Sequence, residues 1–173
     1  MGKFDHFMLA SDIDSTFVWQ GGYIPPENLE AVEYFKAHGG KFSFASGRNH
    51  HDYRIAIPGD PATFASMPYV LCNGSYLYDA NKKEILNPHY LPADAAKELY
   101  AYVHKTYPQV GIRASYIHGF LVLKDDEYVH NMLISSGLGD LMNETTQEEF
   151  DGTGLYKTVI THTDTDLLHT IGQ

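Results

Sequence analysis

Two aspartates, Asp12 and Asp14, stand one residue apart in Ser11-Asp12-Ile13-Asp14-Ser15-Thr16. In extended backbone, residues i and i+2 point to the same side, about 6–7 Å apart along the chain. Carboxylates that close repel, and each raises the other's pKa unless a cation neutralises them. A hard divalent ion does so, and Mg2+ favours a few carboxylates supplemented by water and phosphate oxygens. A carboxylate beside such an ion can attack phosphorus, while its neighbour protonates the leaving alkoxide and then activates water. An Asp-x-Asp pair also suits a solvated turn, so on its own it leaves both readings open.

Two further clusters accompany it. Ser46-Gly47-Arg48 joins a hydroxyl to a glycine that permits close backbone approach, at the start of an expected helix whose free N–H groups can cradle phosphate. The alternative is an ordinary N-cap. Asn73-Gly74 is by itself a turn signal. The joint spacing of the three clusters carries more weight than any one of them.

The elements that must position these residues follow from the apolar runs. Phe4 to Ala10 reads as a buried parallel strand ending at Asp12. Pro25-Pro26-Glu27 opens a helix with an apolar stripe of Leu29, Val32 and Phe35, ended by Gly39-Gly40. Lys41 to Ala45 is a second strand, about Asn49 to Ile57 a second helix, and Pro68 to Cys72 a third strand. This alternation predicts right-handed crossovers and a parallel sheet. Asp12, Ser46 and Asn73 then all fall past the carboxyl ends of successive strands, the edge where open α/β sheets bind ligands. After about Asp79 the pattern changes. A helix over Ala93 to Thr106, a hairpin over Gly111 to Lys124, a helix over Asp125 to Ser136, a strand over Leu155 to Thr161 and a helix from Asp164 predict an α+β unit with an antiparallel sheet. The expected division is 1–79 and 80–173.

With these motifs in place, the chain resembles the haloacid dehalogenase-like superfamily, in particular its Cof-type (cap type IIB) phosphatases. Ala10 to Thr16 is similar to motif I, usually Asp-x-Asp-Gly-Thr, and Ala45-Ser46-Gly47-Arg48 to motif II. Cys72-Asn73-Gly74-Ser75 matches the Asn-Gly segment after the third strand, and Leu155 to Ile160 resembles a late strand of the cap. The resemblance covers essentially the whole chain. It implies a Rossmann-like α/β core with an α+β cap, both incomplete. It implies Mg2+-dependent hydrolysis of a small phosphate monoester, sugar phosphate-like, through an aspartyl-phosphate. Asp12 would be nucleophile and magnesium ligand. Asp14 would be the acid/base and would bind magnesium through its backbone carbonyl. Thr16 would steady the motif I loop, Ser46 and Gly47 would hold the phosphoryl group, and Asn73 would lie near the substrate. Arg48 either pairs structurally or contacts substrate.

Two departures stand out. Ser15 occupies the usual glycine position, where a left-handed backbone would cost about 1 kcal/mol. The motif III lysine and motif IV, Gly-Asp-x-x-Asn-Asp, are expected beyond Gln173, so the chain reads as the N-terminal part of such an enzyme, a fragment or a naturally short form. Lys157 lies in the cap strand and is not the motif III lysine. The rival to catalysis is a truncated, inactive module acting by folding or association, for which a homodimer would cover the open sheet edge.

Bulk composition narrows the partners. Hydrophobic residues are 43% and charged residues 20% of 173, a globular balance. Twelve Lys and Arg against 22 Asp and Glu give a net charge of −10, which argues against nucleic acid but permits a phosphorylated metabolite beside a bound cation. The single cysteine, Cys72, excludes an internal disulfide. No signal peptide or membrane span is read, so a cytoplasmic location is expected.

Overall fold

The apolar run before Asp12 becomes β1 (Met8–Ser11), which pairs in parallel with β2 (Lys41–Phe44), Met8 opposite Lys41 and Ser11 opposite Phe44. Between them lies α1 (Pro26–Ala37), with proline in its first turn and Glu27 complementing the helix dipole. Val32 is its buried residue. The computed structural model describes residues 2–59 and 63–172. Within them the chain divides into two units, Met1–His89 and Tyr90–Gln173.

In the first unit β3 (Tyr69–Leu71) joins β2 through a parallel bridge, Ala45 to Val70, and the Ser46 N–H donates to the Val70 carbonyl at 2.9 Å. The three expected strands thus run side by side in one direction. Phe17, Phe42, Phe44 and Tyr69 seal them, with Phe44 5.0 Å from Phe17, 5.1 Å from Phe42 and 5.6 Å from Tyr69 between ring centroids. Burying each such ring contributes about 1.5–3 kcal/mol.

Three features differ from expectation. β4 (Tyr76–Asp79) and β5 (Glu84–Leu86) extend the far side of β3 with antiparallel pairing. Because Leu77 pairs with Leu86, and the His89 N–H donates to the Ser75 carbonyl, the chain beyond Asp79 stays with the first unit as far as His89. The second helix is only α2 (Tyr53–Ala56). Its entry is a reciprocal cap, in which the Asn49 N–H donates to Asp52 Oδ1 at 2.6 Å and the Asp52 N–H to Asn49 Oδ1 at 2.9 Å. On its other side β1 pairs with no strand among the described residues, and Phe7, Met8 and Leu9 are exposed.

The second unit is a four-stranded sheet in the order β8-β7-β6-β9, from β6 (Gly111–Tyr116), β7 (Gly119–Leu123), β8 (Met142–Thr145) and β9 (Lys157–Thr161). Pairing is antiparallel for β7-β6-β9, as expected, but β8 runs parallel to β7. The reason is the connection: the chain leaves β7 through α4 (Glu127–Ser135) and returns, a crossover that restores direction. α3 (Ala93–Thr106) packs Ala96, Tyr100 and Val103 on Ile112, Ala114 and Leu123. α5 (Thr165–Ile171) starts at Asp164, whose Oδ1 caps it by accepting from the Asp166 and Leu167 N–H groups.

Candidate active site

Beyond β1 the backbone turns at once. Ile13 is fully buried, and its carbonyl accepts from the N–H groups of Phe17 and Val18 at 3.1 and 2.8 Å. The Ser15 N–H donates back to the Val18 carbonyl at 2.8 Å. Ser15 takes φ 59°, the left-handed conformation that the resemblance to a glycine position foreshadowed. Thr16 is exposed. What ties down this loop is Asn28 of α1, whose Nδ2 donates to the carbonyls of Thr16 and Phe17 at 3.2 and 3.1 Å. Nothing in the spacing of the motifs singled out Asn28.

This turn separates the two aspartates. Extended geometry would place both carboxylates on one side, but Ile13 to Val18 is not extended. Asp12 lines a hollow shared with Ser46, Gly47, Asn73 and Gly74. Asp14 lines a neighbouring one with Trp19, Gln20 and Arg48. The structure therefore brings Asp12, Ser46, Gly47 and Asn73 together, and sets Asp14 and Arg48 beside them as a pair.

The loops after β2 and β3 are locked to each other. Cys72 donates its N–H to the Arg48 carbonyl at 2.9 Å, and Asn73 donates to the Ser46 carbonyl at 3.2 Å. To do so both adopt left-handed backbone, φ 50° at Cys72 and 57° at Asn73, a conformation that asparagine tolerates better than cysteine. Ser46 is buried, and its Oγ accepts from the Arg48 N–H at 3.3 Å. Its hydroxyl proton is not committed by that bond and can be given to a phosphoryl oxygen. Cys72 is buried, as a packing residue should be, with its sulfur 3.6 Å from the Tyr76 hydroxyl.

Arg48 clamps Asp14 with both arms of its guanidinium, Nε to Oδ2 and Nη2 to Oδ1, each at 2.8 Å. Nη1 also donates to the Asp52 carbonyl at 3.4 Å. Of the two roles the sequence left open for Arg48, the structure shows pairing. The hydrogen bonds from Arg48, with its charge, hold the Asp14 carboxyl below the usual carboxylate range against the opposing effect of burial. The same pairing raises Arg48. The like-charge repulsion expected for Asp-x-Asp is thus relieved at Asp14 by an arginine from the next loop.

Among the described residues no group of three or more His, Cys, Asp or Glu is placed to hold a metal. Asp12 supplies one exposed carboxylate at the rim, its Oδ1 accepting from the Ile13 N–H at 2.7 Å. An exposed carboxylate is a hard oxygen donor of the kind Mg2+ takes, and that ion commonly has few protein ligands and completes its shell with water and phosphate. Two further residues near the site stand outside the motifs. His50 is half-buried against Tyr76 and Tyr78, with its N–H donating to the Tyr76 hydroxyl at 2.9 Å. Trp19 is 60% exposed on a tight hairpin closed by its N–H to the Tyr23 carbonyl at 2.7 Å. No helix of the described residues is long and apolar enough to cross a membrane.

Residues 9–171 match the haloacid dehalogenase-like hydrolase family. Over 119 residues, 68% of the chain, the sequence is 27% identical to pyridoxal phosphate phosphatase YbhA of Escherichia coli (strain K12). The chain spans 39% of that relative's length. Among solved structures, a HAD/COF-like hydrolase from Plasmodium vivax superposes with a TM-score of 0.70 at 20% identity, over 99% of this chain and 61% of that one. The HAD subclass IIB sugar phosphatase BT4131 gives 0.67 at 21% identity, over 96% and 62%. A crystal structure from Eubacterium rectale gives 0.70 at 22% identity, over 94% and 59%. At these identities the likeness is one of fold.

Proposed function

Starting from the fact that the chain belongs to the haloacid dehalogenase-like hydrolases, we propose that it carries the nucleophile and the phosphate-cradling residues of a Mg2+-dependent phosphatase for small phosphate monoesters. The observation that carries this reading is the hollow in which Asp12 meets Ser46, Gly47 and Asn73 at the carboxyl edge of parallel strands. An Asp12 oxygen attacks phosphorus, the bond to the leaving oxygen breaks, and the phosphoryl group rests on Asp12 as an aspartyl-phosphate. The Ser46 hydroxyl, with the adjoining backbone, steadies the phosphoryl oxygens. Asp14 gives a proton to the leaving alkoxide and, once ionised, takes one from the water that splits the aspartyl-phosphate. Magnesium held by the Asp12 carboxylate and the Asp14 carbonyl would offset the negative charge of the phosphoryl group.

The Arg48 clamp favours the ionised form of Asp14, the form needed to activate water. Donating a proton to the leaving group requires Asp14 to loosen one of its two bonds to Arg48. Sugar phosphates and pyridoxal phosphate are the substrates suggested by relatives named for them. A cytoplasmic setting and a homodimer belong to the same proposal.

The test is hydrolysis of a panel of phosphate monoesters with Mg2+ by wild type and Asp12→Asn. Turnover in the wild type, reduced by about 10³-fold or more in the variant, is expected. Near-equal rates would remove Asp12 as nucleophile. A second reading, a non-catalytic module acting by association, is favoured by the exposed edge at Phe7, Met8 and Leu9. It predicts no hydrolysis in either protein.

A further inference from the structure

Asp14 and Trp19 share one hollow, and nothing in the chemistry at Asp12 requires an indole there. Trp19 sits 60% exposed, although tryptophan is on average a well-buried residue. It is held rather than loose. Its backbone closes the hairpin with Tyr23, and Gly21 and Gly22, at φ 76° and 78°, make the tight reversal between them. No heavy atom lies within 4 Å of a Cβ built on Gly21, so that side of the hollow is open. The side chain of Ile55, 59% exposed, also lines it.

The geometry points to the leaving-group subsite. We infer that the hollow formed by Trp19, Ile55, Gln20 and Asp14 takes the organic part of the substrate, and that it selects phosphate esters whose leaving group is a planar aromatic ring. This rests on the phosphatase reading. A group that protonates the leaving oxygen must touch it, so whatever carries that oxygen enters the hollow lined by Asp14. There it meets an indole and an aliphatic side chain. The polar side chains beside these are Asp14, Ser15, Gln20 and Arg48, of which Asp14 and Arg48 are already committed to each other. A sugar would have to give up the water on several hydroxyls against few replacements, whereas a ring stacks on the indole and keeps its polar edge outward.

Trp19 is the single tryptophan of the chain, so its emission reports this hollow directly. Phenyl phosphate and pyridoxine 5′-phosphate, titrated into the full chain with Mg2+, are expected to quench the emission saturably. Glucose 6-phosphate should bind more weakly by calorimetry. Trp19→Ala should reduce the preference for phenyl phosphate over glucose 6-phosphate by about tenfold, the scale of one ring stacking on an aromatic side chain. Trp19→Phe should keep most of it. Equal affinity for the two esters, an unchanged preference in Trp19→Ala, or aryl ester binding with silent emission would each overturn the inference. If Asp12-dependent hydrolysis persists under any of those outcomes, the phosphatase reading survives and only the aromatic subsite falls. If no ester is bound or hydrolysed, both fall.

Discussion

The two units differ in where their backbones are strained. Among the described residues, every non-glycine with left-handed φ lies in the first unit: Ser15, Cys72, Asn73, Lys83 and Asn87. In the second unit only glycines do so, at Gly119, Gly137, Gly152 and Gly154. Three of the five strained residues belong to the loops that surround Asp12. Strain of this kind persists only where surrounding contacts overrule it, and it concentrates where a loop must hold a functional shape. The second unit turns its corners with the residue best suited to them and fills its core in the ordinary way. One region holds strained loops around Asp12, and the other makes its left-handed turns with glycine alone.

That contrast can be broken from the scaffold side. Tyr100 is fully buried and stacks on Phe150 at 4.1 Å between ring centroids. Tyr100→Ala should cost about 3–5 kcal/mol in denaturant unfolding, the range for deleting a large core ring. A loss below about 1 kcal/mol would show that the second unit is not packed around α3.

At the site the contrast is electrostatic. Asp14 is lowered by Arg48, so the pair stabilises the fold above the ordinary aspartate pKa of about 3.9 and loses that contribution as pH falls through the lower folded value. With the Asp14 side chain 53% exposed, solvent screening limits the effect to about 1 kcal/mol or less. Arg48→Gln should move the Asp14 carboxyl titration, followed by carbon-detected NMR, upward towards the ordinary value. An unmoved titration would mean that the clamp does not form in solution.

The smallest effects test the strain itself. Ser15→Gly should raise the unfolding free energy by about 0.5–1 kcal/mol, because glycine accepts φ 59° without a Cβ penalty. Gly154→Ala should lower it by a similar amount. Gly154 has φ 70° and no neighbour within 4 Å of an added Cβ, so backbone preference alone decides. If both changes have the same sign, the contrast between the units is not one of backbone strain.

Much of this was legible in the sequence, and the illegible parts share a cause. β1, β2 and β3 were apolar runs ending in polar clusters, and α1 and α3 carried their own periodicity and termini. β4, β5 and β8 are short segments whose strand character comes from the partners they find, which no local pattern announces. The convergence of Asp12, Ser46, Gly47 and Asn73 followed from strand order alone. The pairing of Asp14 with Arg48 did not, because it depends on how a non-extended turn after Ile13 redirects one carboxylate. Asn28 and Trp19 escaped for a similar reason. Each acts through a position in space, and neither belongs to a motif.

The central claim is that Asp12 accepts the phosphoryl group in the hollow it shares with Ser46, Gly47 and Asn73. Quenching the protein during turnover and reducing it with borohydride converts an aspartyl-phosphate to homoserine, which peptide mass spectrometry can locate. Homoserine at position 12, absent from Asp12→Asn, is the expected result. Hydrolysis that proceeds with Asp12 unmodified, or with the label on another residue, would contradict it.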